Sequence, residues 1–393
     1  MRLYFDYAAS TPIDKRVVAA MRPYFVSKFG NPSSLHIFGQ EALAAVDKTR
    51  EVITQSLGVN FRDIIFTGSA TEANNLILRG VVKRWRSLKR RNIAPKIIVS
   101  SIEHESVLET VRSFSDEEAE VFYLPVDREG YVDVDVLRRE LDDRTMLVSV
   151  MYANNEIGTI EPIQKIAQVI QDFRKNGALP LFHTDASQAF QYLSCDVRRL
   201  GVDTLTISGH KIYGPKGIGA LYIREDIAQV LISPIITGGG QEFGLRAGTE
   251  NVPLVAGLGK AVALVGENRS RAVRDVGLLR HALWNGIRSI LPSAELIGPR
   301  DSSGSLPSIL HIRFPGIAAE ELLTQFDRLG LSVSSGSACS SRLSTPSHVL
   351  QAIGRSVTEA KEGIRFSLGF PTTKGQIDRA LRIIKIVLKK YDP

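Results

Sequence analysis

TLTISGHKIYGPKGIGALYIR, residues 204–224, holds two apolar runs, 204–209 and 219–224, joined by the short turn HKIYGPKGIG. Parallel neighbours need a crossover of a dozen or more residues, usually a helix, so the second run is expected to turn back antiparallel to the first. Upstream stand five more apolar runs: IIFTG (64–68), KIIVS (96–100), EVFYLPV (120–126), TMLVSVMY (145–152) and LPLFHTD (179–185). Helical periodicity falls between most of them, near 71–86, 104–114, 133–141 and 162–175. Continuous apolar strands separated by helices build a sheet covered on both faces. The spacing therefore predicts an α/β fold around a mostly parallel seven-stranded sheet.

Beyond residue 255 the pattern changes. A long helical stretch from about 254 to 290 precedes a strand near 308–314 and a helix near 319–328. A Ser/Gly-rich loop follows at 332–347, then a closing strand and helix at 363–369 and 375–390. The expected division is a large α/β domain over 13–256 and a smaller α+β domain made of 1–12 and 257–393.

The chain has 393 residues, 44% hydrophobic and 23% charged, an ordinary globular composition. Two cysteines, Cys195 and Cys339, are too few for a disulfide framework and suit a reducing compartment. The start, MRLYFDYAASTPIDKR, has no apolar segment after a basic one, and no apolar run is long enough to span a bilayer. A cytoplasmic protein with no membrane contact is expected. The formal charge of +7 is a modest excess at this length. Its one dense run is Lys83, Arg84, Arg86, Lys89, Arg90 and Arg91, which reads as a solvated face or as a docking patch for an acidic partner or RNA. No interleaved aromatics accompany it, so direct nucleic-acid binding is not expected.

In open α/β sheets ligands bind beyond the carboxyl ends of the strands. Thr71, His104, Asn155, Asp185 and the pair His210–Lys211 all follow strand candidates, which points to one site. The segment Gly68–Glu72 opens a helix and reads either as an anion site or as a plain N-cap. Asp185 is either a helix cap or the partner of a buried cation such as a pyridinium nitrogen. Lys211 is a surface turn lysine or, if partly desolvated beside other cations, a Schiff-base lysine; Lys216 is assigned no role. His104 is a surface residue at a helix start or an imidazole set against a flat ring, able to carry protons. Cys339, among small polar neighbours, belongs to an exposed loop and reads as a nucleophile, whereas Cys195 between Leu193 and Val197 reads as structural. No Cys/His cluster has metal-ligand spacing.

Together these segments resemble the cysteine desulfurases of the NifS/IscS type. The likeness is carried by YFDYAASTP (4–12), FGNPSSLHIFG (29–39), FTGSATEANNL (66–76), EHESVL (103–108), NNEIGTIEPI (154–163), HTDASQA (183–189), SGHKIYGPKGIGALY (208–222), GGGQEFGLRAGTENV (238–252), SSGSACSS (334–341) and IRFSLG (364–369). It implies the type I fold of pyridoxal-phosphate enzymes and a homodimer with sites near the subunit interface. It further implies that Lys211 bears the cofactor, Asp185 pairs with the ring nitrogen, and His104 lies over the ring. Asn155 and Gln188 would face the ring oxygen or the substrate. Ala70, Thr71, Ser208 and His210 would hold the phosphate, with Thr249 supplied by the other subunit. Arg365 would take the substrate carboxylate.

L-cysteine would then give L-alanine and a persulfide on Cys339, for a sulfur-acceptor protein serving iron–sulfur assembly or thio-modification. The alternatives are a selenocysteine lyase and a non-catalytic sulfur-transfer adaptor on the same fold. The chain departs from the family pattern in about ten residues inserted around 86–95, in Ser340 after the cysteine, and in stopping at Pro393 soon after the last helix.

Overall fold

The computed structural model describes residues 2–87, 94–115, 118–175, 177–336 and 346–391. Within them the strands are β1 (Leu3–Tyr4), β2 (Ile64–Thr67), β3 (Lys96–Ser100), β4 (Glu120–Leu124), β5 (Thr145–Ser149), β6 (Leu181–Asp185), β7 (Thr204–Ser208), β8 (Gly219–Ile223), β9 (Glu295–Ile297), β10 (Ile309–Arg313), β11 (Leu331–Ser332) and β12 (Gly363–Ser367). A seven-stranded sheet runs in the order β2-β8-β7-β6-β5-β3-β4. Every apolar run marked in the sequence up to residue 224 lies in it. β8 is antiparallel to both neighbours, as the short turn after β7 requires, and the remaining pairings are parallel.

Burial explains why these strands were so plain in sequence. β2, β3, β5, β6, β7 and β8 are buried at every residue, because helices cover both faces. β4, at the edge, exposes Glu120 and Tyr123. Its apolar run continues to residue 126 in sequence, but pairing ends at Leu124, and Val126 makes only an isolated bridge to Val132.

β12, β10 and β9 form a second, antiparallel sheet, and β1 pairs in parallel with β11. Two helices not anticipated from the sequence, Lys15–Met21 and Ile37–Leu57, pack on the long helix Val252–Ile290. Small residues on the long helix permit the close approach. A Cβ at Gly259 would lie 2.6 Å from Thr49 Oγ1, and one at Gly257 would lie 2.8 Å from Met21. Among the described residues no helix is long and apolar enough to cross a membrane.

The parallel strands deliver their carboxyl ends to one edge of the sheet, and a buried acid ties two of them together there. Glu103 Oε1 accepts hydrogen bonds from Ser100 Oγ, at the end of β3, and from the Met151 amide just after β5, at 2.7 and 2.6 Å. Oε2 has no partner among the described residues, and burial pushes the carboxyl from its ordinary 4.5 up to about 8. Between those values the folded chain holds a proton that the unfolded chain has lost. Stability from this group is therefore present in acid and falls as pH rises through the window, by up to about 1.4 kcal/mol per pH unit. Glu103→Gln removes the titration. Denaturant unfolding at pH 5 and pH 8 should show the variant gaining on the wild type by at least about 1.4 kcal/mol at the higher pH. An equal difference at both pH values would refute the buried, protonated acid.

Candidate active site

Lys211 ends the 3₁₀ turn Gly209–Lys211 that follows β7. Its Nζ donates to the carbonyls of Ala8 and Ala9 at 2.5 and 2.9 Å. The same N-terminal segment grips the rest of the turn. Thr11 donates through its amide and its hydroxyl to the His210 carbonyl, and Thr11 Oγ1 accepts from the Tyr213 amide at 2.9 Å. Tyr213 needs that hold, since it sits at φ +62, a left-handed conformation costly for a bulky side chain. Gln188 Nε2 shares the Ala8 carbonyl at 3.0 Å, which brings Gln188 beside Lys211.

Asp185 closes β6 and is 6% exposed. Its Oδ1 accepts from the Ser187 amide and its Oδ2 from Asn74 Nδ2, both at 2.8 Å. Asn74 is fully buried on the helix Ala70–Ser87 and belongs to a longer line of bonds. His183 Nε2 lies 3.2 Å from Asn74 Oδ1, which can only accept, so this nitrogen carries the proton. Burial pulls the His183 pKa down to about 4, leaving the ring neutral and Nδ1 free to accept from Thr204 Oγ1 at 2.9 Å. On its other side Asn74 Nδ2 donates to Ser106 Oγ at 2.9 Å, and Ser106 Oγ meets His104 Nδ1 at 2.9 Å.

His104 caps the helix Glu105–Arg112 by accepting the Ser106 amide on Nδ1. That bond leaves the proton of the neutral ring on Nε2. Burial lowers the His104 pKa, against a smaller opposing pull from Asp185.

The helix Ala70–Ser87 opens the anion end of the site. Ser69 Oγ accepts the Glu72 amide at 3.1 Å, so the N-cap reading holds. The amides of Ala70 and Thr71 keep no partner among the described residues, which leaves them available to an anion. The strand opposite is bare: a Cβ on Gly219 would meet the Ser69 and Ala70 backbone at 2.8 and 3.0 Å. Ser208 and His210 border this end, and burial, aided by Lys211, lowers the His210 pKa to about 4.

Arg365 on β12 is 1% exposed. Its Nη1 donates to the carbonyls of Asn155 and Gly336 at 3.0 and 2.7 Å, and its Nη2 donates to Asp6 Oδ1 at 2.7 Å. Nε has no partner among the described residues, which leaves this N–H available to an acceptor.

Ala70, Thr71, His104, Asn155, Asp185, Gln188, Ser208, His210, Lys211 and Arg365 all line one cavity of about 320 Å³, a volume suited to a small ligand. Its ends differ in chemistry: unpartnered amides at one, and an acceptor-only carboxylate on the floor, whose buried oxygens have room for a cationic donor. A flat cationic ring bearing a phosphate fits that donor set, and Lys211 is the amine that would hold it. Reading from sequence missed Ala8, Ala9, Ser106 and Asn74. Backbone carbonyls leave no mark in a sequence, but an asparagine on the apolar face of a helix does.

Thr249 is not in this cavity. It lies in a separate hollow with Tyr24, Phe29, Gly30 and Asn31. Cys339 falls outside the described residues. Cys195 is buried, with its thiol pushed up to about 12, which agrees with a structural role. Of the basic run, Lys83 and Arg84 donate to the carbonyls of Pro234 and Val230, and Arg86 pairs with Glu118 at 3.1 Å; Lys89, Arg90 and Arg91 lie outside the described residues.

Residues 3–380 match the family model Aminotransferase class-V, and the chain belongs to that family. The cysteine desulfurase IscS of Dictyoglomus turgidum is 42% identical over 388 residues, 99% of this chain and 95% of that protein. A solved NifS-like protein superposes with a TM-score of 0.90 at 37% identity, covering 99% of this chain and all of the other. SspA, solved in complex with cysteine, gives 0.79 at 36% identity over 94% of this chain and 99% of its own. Within the class-V family this chain is a cysteine desulfurase, a pyridoxal-phosphate-dependent enzyme of type I fold.

The hydrogen-bonded line through Asn74 carries a prediction. Asn74→Ala leaves Asp185 with the Ser187 amide alone and detaches it from His104. The holoenzyme should keep its cofactor, shift the pH dependence of the cofactor's absorbance, and turn over at least about tenfold more slowly, a 1.4 kcal/mol effect. A spectral titration and turnover rate matching the wild type would show that the Ser187 amide suffices.

Proposed function

We propose that this cysteine desulfurase binds L-cysteine with its carboxylate on the Nε–Nη2 edge of Arg365 and delivers the sulfur to Cys339. One observation carries the reading: Lys211, the buried carboxylate of Asp185 and a half-satisfied buried arginine line a single cavity. Ala70, Thr71, Ser208 and His210 hold the phosphate of the cofactor, and Asp185 pairs with its ring nitrogen. His104, Asn155 and Gln188 border the ring. Bound there, pyridoxal phosphate supplies an electron sink for the carbon that bears the substrate's amino group. Lys211 Nζ, steered by the Ala8 and Ala9 carbonyls, takes the Cα proton. His104 holds a second proton on Nε2.

The Cys339 thiolate forms a bond to the substrate sulfur as the Cβ–S bond breaks. The electron pair of that bond stays with carbon, which takes up a proton. L-cysteine and one thiol become L-alanine and one persulfide, so no external oxidant or reductant is consumed. Cys195 cannot substitute, because a buried thiol held near 12 is not a thiolate at neutral pH. The persulfide then passes to an acceptor protein.

The active unit is a homodimer in the cytoplasm, with the division into 13–256 and 1–12 plus 257–393 as its two domains. Support for the dimer comes from a row of exposed apolar side chains, Phe25, Val26, Phe29, Leu35 and Ile37, with Leu35 93% exposed. Such a row marks a face that is covered in use. Thr249 shares a hollow with Phe29, one of these exposed side chains, which supports its supply to the site of a second copy.

Cys339→Ser exchanges sulfur for oxygen with little change of shape. It should retain cofactor and the spectral response to L-cysteine, yet release essentially no sulfide, whereas Lys211→Ala should lose the absorbance of the lysine-bound cofactor. Wild-type turnover in the serine variant would eliminate the persulfide route. For the dimer, Leu35→Asp with Phe29→Asp should shift sedimentation toward the monomer and weaken phosphate retention together. A fully active monomer at assay concentration would refute the shared site.

A further inference from the structure

We propose that Arg246 is a positioning residue for the anion end of the cavity and acts there through Glu72. It holds the Glu72 carboxylate back and cancels its charge, so that a phosphate can settle on the start of the helix Ala70–Ser87. The inference rests on the reading of that end as the seat of the cofactor's phosphate.

Glu72 stands in the first turn of that helix, next after the amides of Ala70 and Thr71, which keep no partner among the described residues. A carboxylate in this position suits the positive end of the helix dipole when nothing is bound. Beside a phosphate it is the wrong charge, competing with the ligand for the same field. The chain carries an acid here nonetheless, and two contacts turn it aside. Glu72 Oε2 accepts the Gly68 amide at 2.9 Å, so the side chain folds back over the turn between β2 and the helix. A Cβ on Gly68 would fall 2.8 Å from that oxygen, so a larger residue at 68 would displace the carboxyl from this place. Arg246 closes on it from outside the helix: Nε donates to Oε1 at 2.8 Å, and Nη2 lies 3.5 Å from Oε2. The two side chains are 24% and 18% exposed, so solvent and salt screen this pair less than a pair on the open surface.

Arg246 reaches Glu72 because the segment that carries it is fastened to the same strand end. Glu242 and Phe243 take successive left-handed conformations, at φ +47 and +57, which such side chains adopt only where their surroundings compel it. Here the compulsion is a buried ion pair. Glu242 accepts from Arg50 through both oxygens, at 2.9 and 3.0 Å, and its Oε2 also accepts the Phe66 amide of β2 at 2.8 Å. The Arg50 guanidinium lies over the rings of Phe66 and Phe243, 4.7 and 5.0 Å from their centroids. Gln241 Oε1 accepts the Gly248 amide at 3.0 Å and closes the turn around Arg246. Two carboxylates thus clasp the end of β2, Glu242 at Phe66 and Glu72 at Gly68. The segment 241–248 supplies the first acid and the cation that answers the second.

The charge balance makes the roles separable. With both residues present the pair is close to neutral toward a phosphate. Without Arg246 an uncompensated negative charge remains, and without Glu72 an uncompensated positive one. A guanidinium with only a packing role would follow no such order.

The test titrates the full chain, freed of cofactor, with pyridoxal phosphate and with pyridoxal, which lacks the anion. Absorbance of the lysine-bound cofactor gives the dissociation constant. Arg246→Gln should weaken pyridoxal phosphate at least about tenfold and pyridoxal by less than about twofold. Glu72→Gln, which keeps an oxygen for the Gly68 amide, should bind pyridoxal phosphate at least about threefold more tightly than wild type. The paired variant Glu72→Gln/Arg246→Gln should return to within about threefold of wild type, since its local charge is the same. Pyridoxal phosphate binding at wild-type strength in Arg246→Gln overturns the proposal. So does a paired variant as weak as Arg246→Gln, which would make Arg246 a direct ligand or a prop for its segment. If Arg246→Gln does not fold, Glu72→Gln decides: binding no tighter than wild type is fatal to the proposal. A wild type that holds pyridoxal as tightly as pyridoxal phosphate is a different failure, that of the anion end itself, and the proposal falls with it.

Discussion

A carboxylate taken out of water must be given donors, and Asp185 at the end of β6 imposes that demand on the whole site. The protein meets half of it from its own chain, through the Ser187 amide and Asn74 Nδ2. Asn74 can present its amide nitrogen only if its oxygen is satisfied elsewhere, which fixes the proton of His183 on Nε2 and calls on Thr204 for the remaining nitrogen. The same amide nitrogen reaches Ser106 and so bears on the tautomer of His104. Two strands and two helix starts are thus coordinated by one charge. Asp185 also lines the cavity, where its remaining acceptor capacity suits a cationic donor.

A second constraint acts from the N-terminus. Residues 8–11 accept hydrogen bonds from Lys211 and grip the turn on either side of it. The Ala8 amide also donates to Ser367 Oγ, and Asp6 pairs with Arg365. A short segment therefore joins the lysine of the large sheet to the arginine of the small one. The distance between the Lys211 amine and the Arg365 guanidinium is set by a few backbone atoms, with little side-chain freedom between them. Such rigidity is what a reaction dependent on orientation needs.

These relations differ in how legible they were. The central sheet could be read because its strands are buried on both faces and so run apolar without a break, and β8 declared its direction by its short turn. Asp185, Lys211 and His104 stood out as polar groups at the ends of apolar runs. The helix Ile37–Leu57 was less visible because it packs against smallness on its partner, Gly259, and a missing side chain is a weak signal. The Ala8 and Ala9 carbonyls were not legible at all: any residue carries a carbonyl, and only the fold decides where it points. Asn74 was visible in principle, as a polar residue where burial was expected, but its meaning depends on a partner more than 100 positions away. Cys339 stood out by its neighbours alone and lies outside the described residues, whereas the apolar neighbours of Cys195 agree with its burial.

Arg365 gathers these strands of the argument because a guanidinium is planar and its five hydrogens point in fixed directions. Nη1 holds the carbonyls of Asn155 and Gly336, Nη2 holds Asp6, and Nε has no partner among the described residues. A lysine could carry the charge but could not divide it this way, since one ammonium cannot face a carbonyl on each of two loops, a carboxylate from the N-terminus and a ligand at once. The Gly336 carbonyl and the Asp6 carboxylate, from opposite ends of the chain, are thereby held on different nitrogens of the same rigid group.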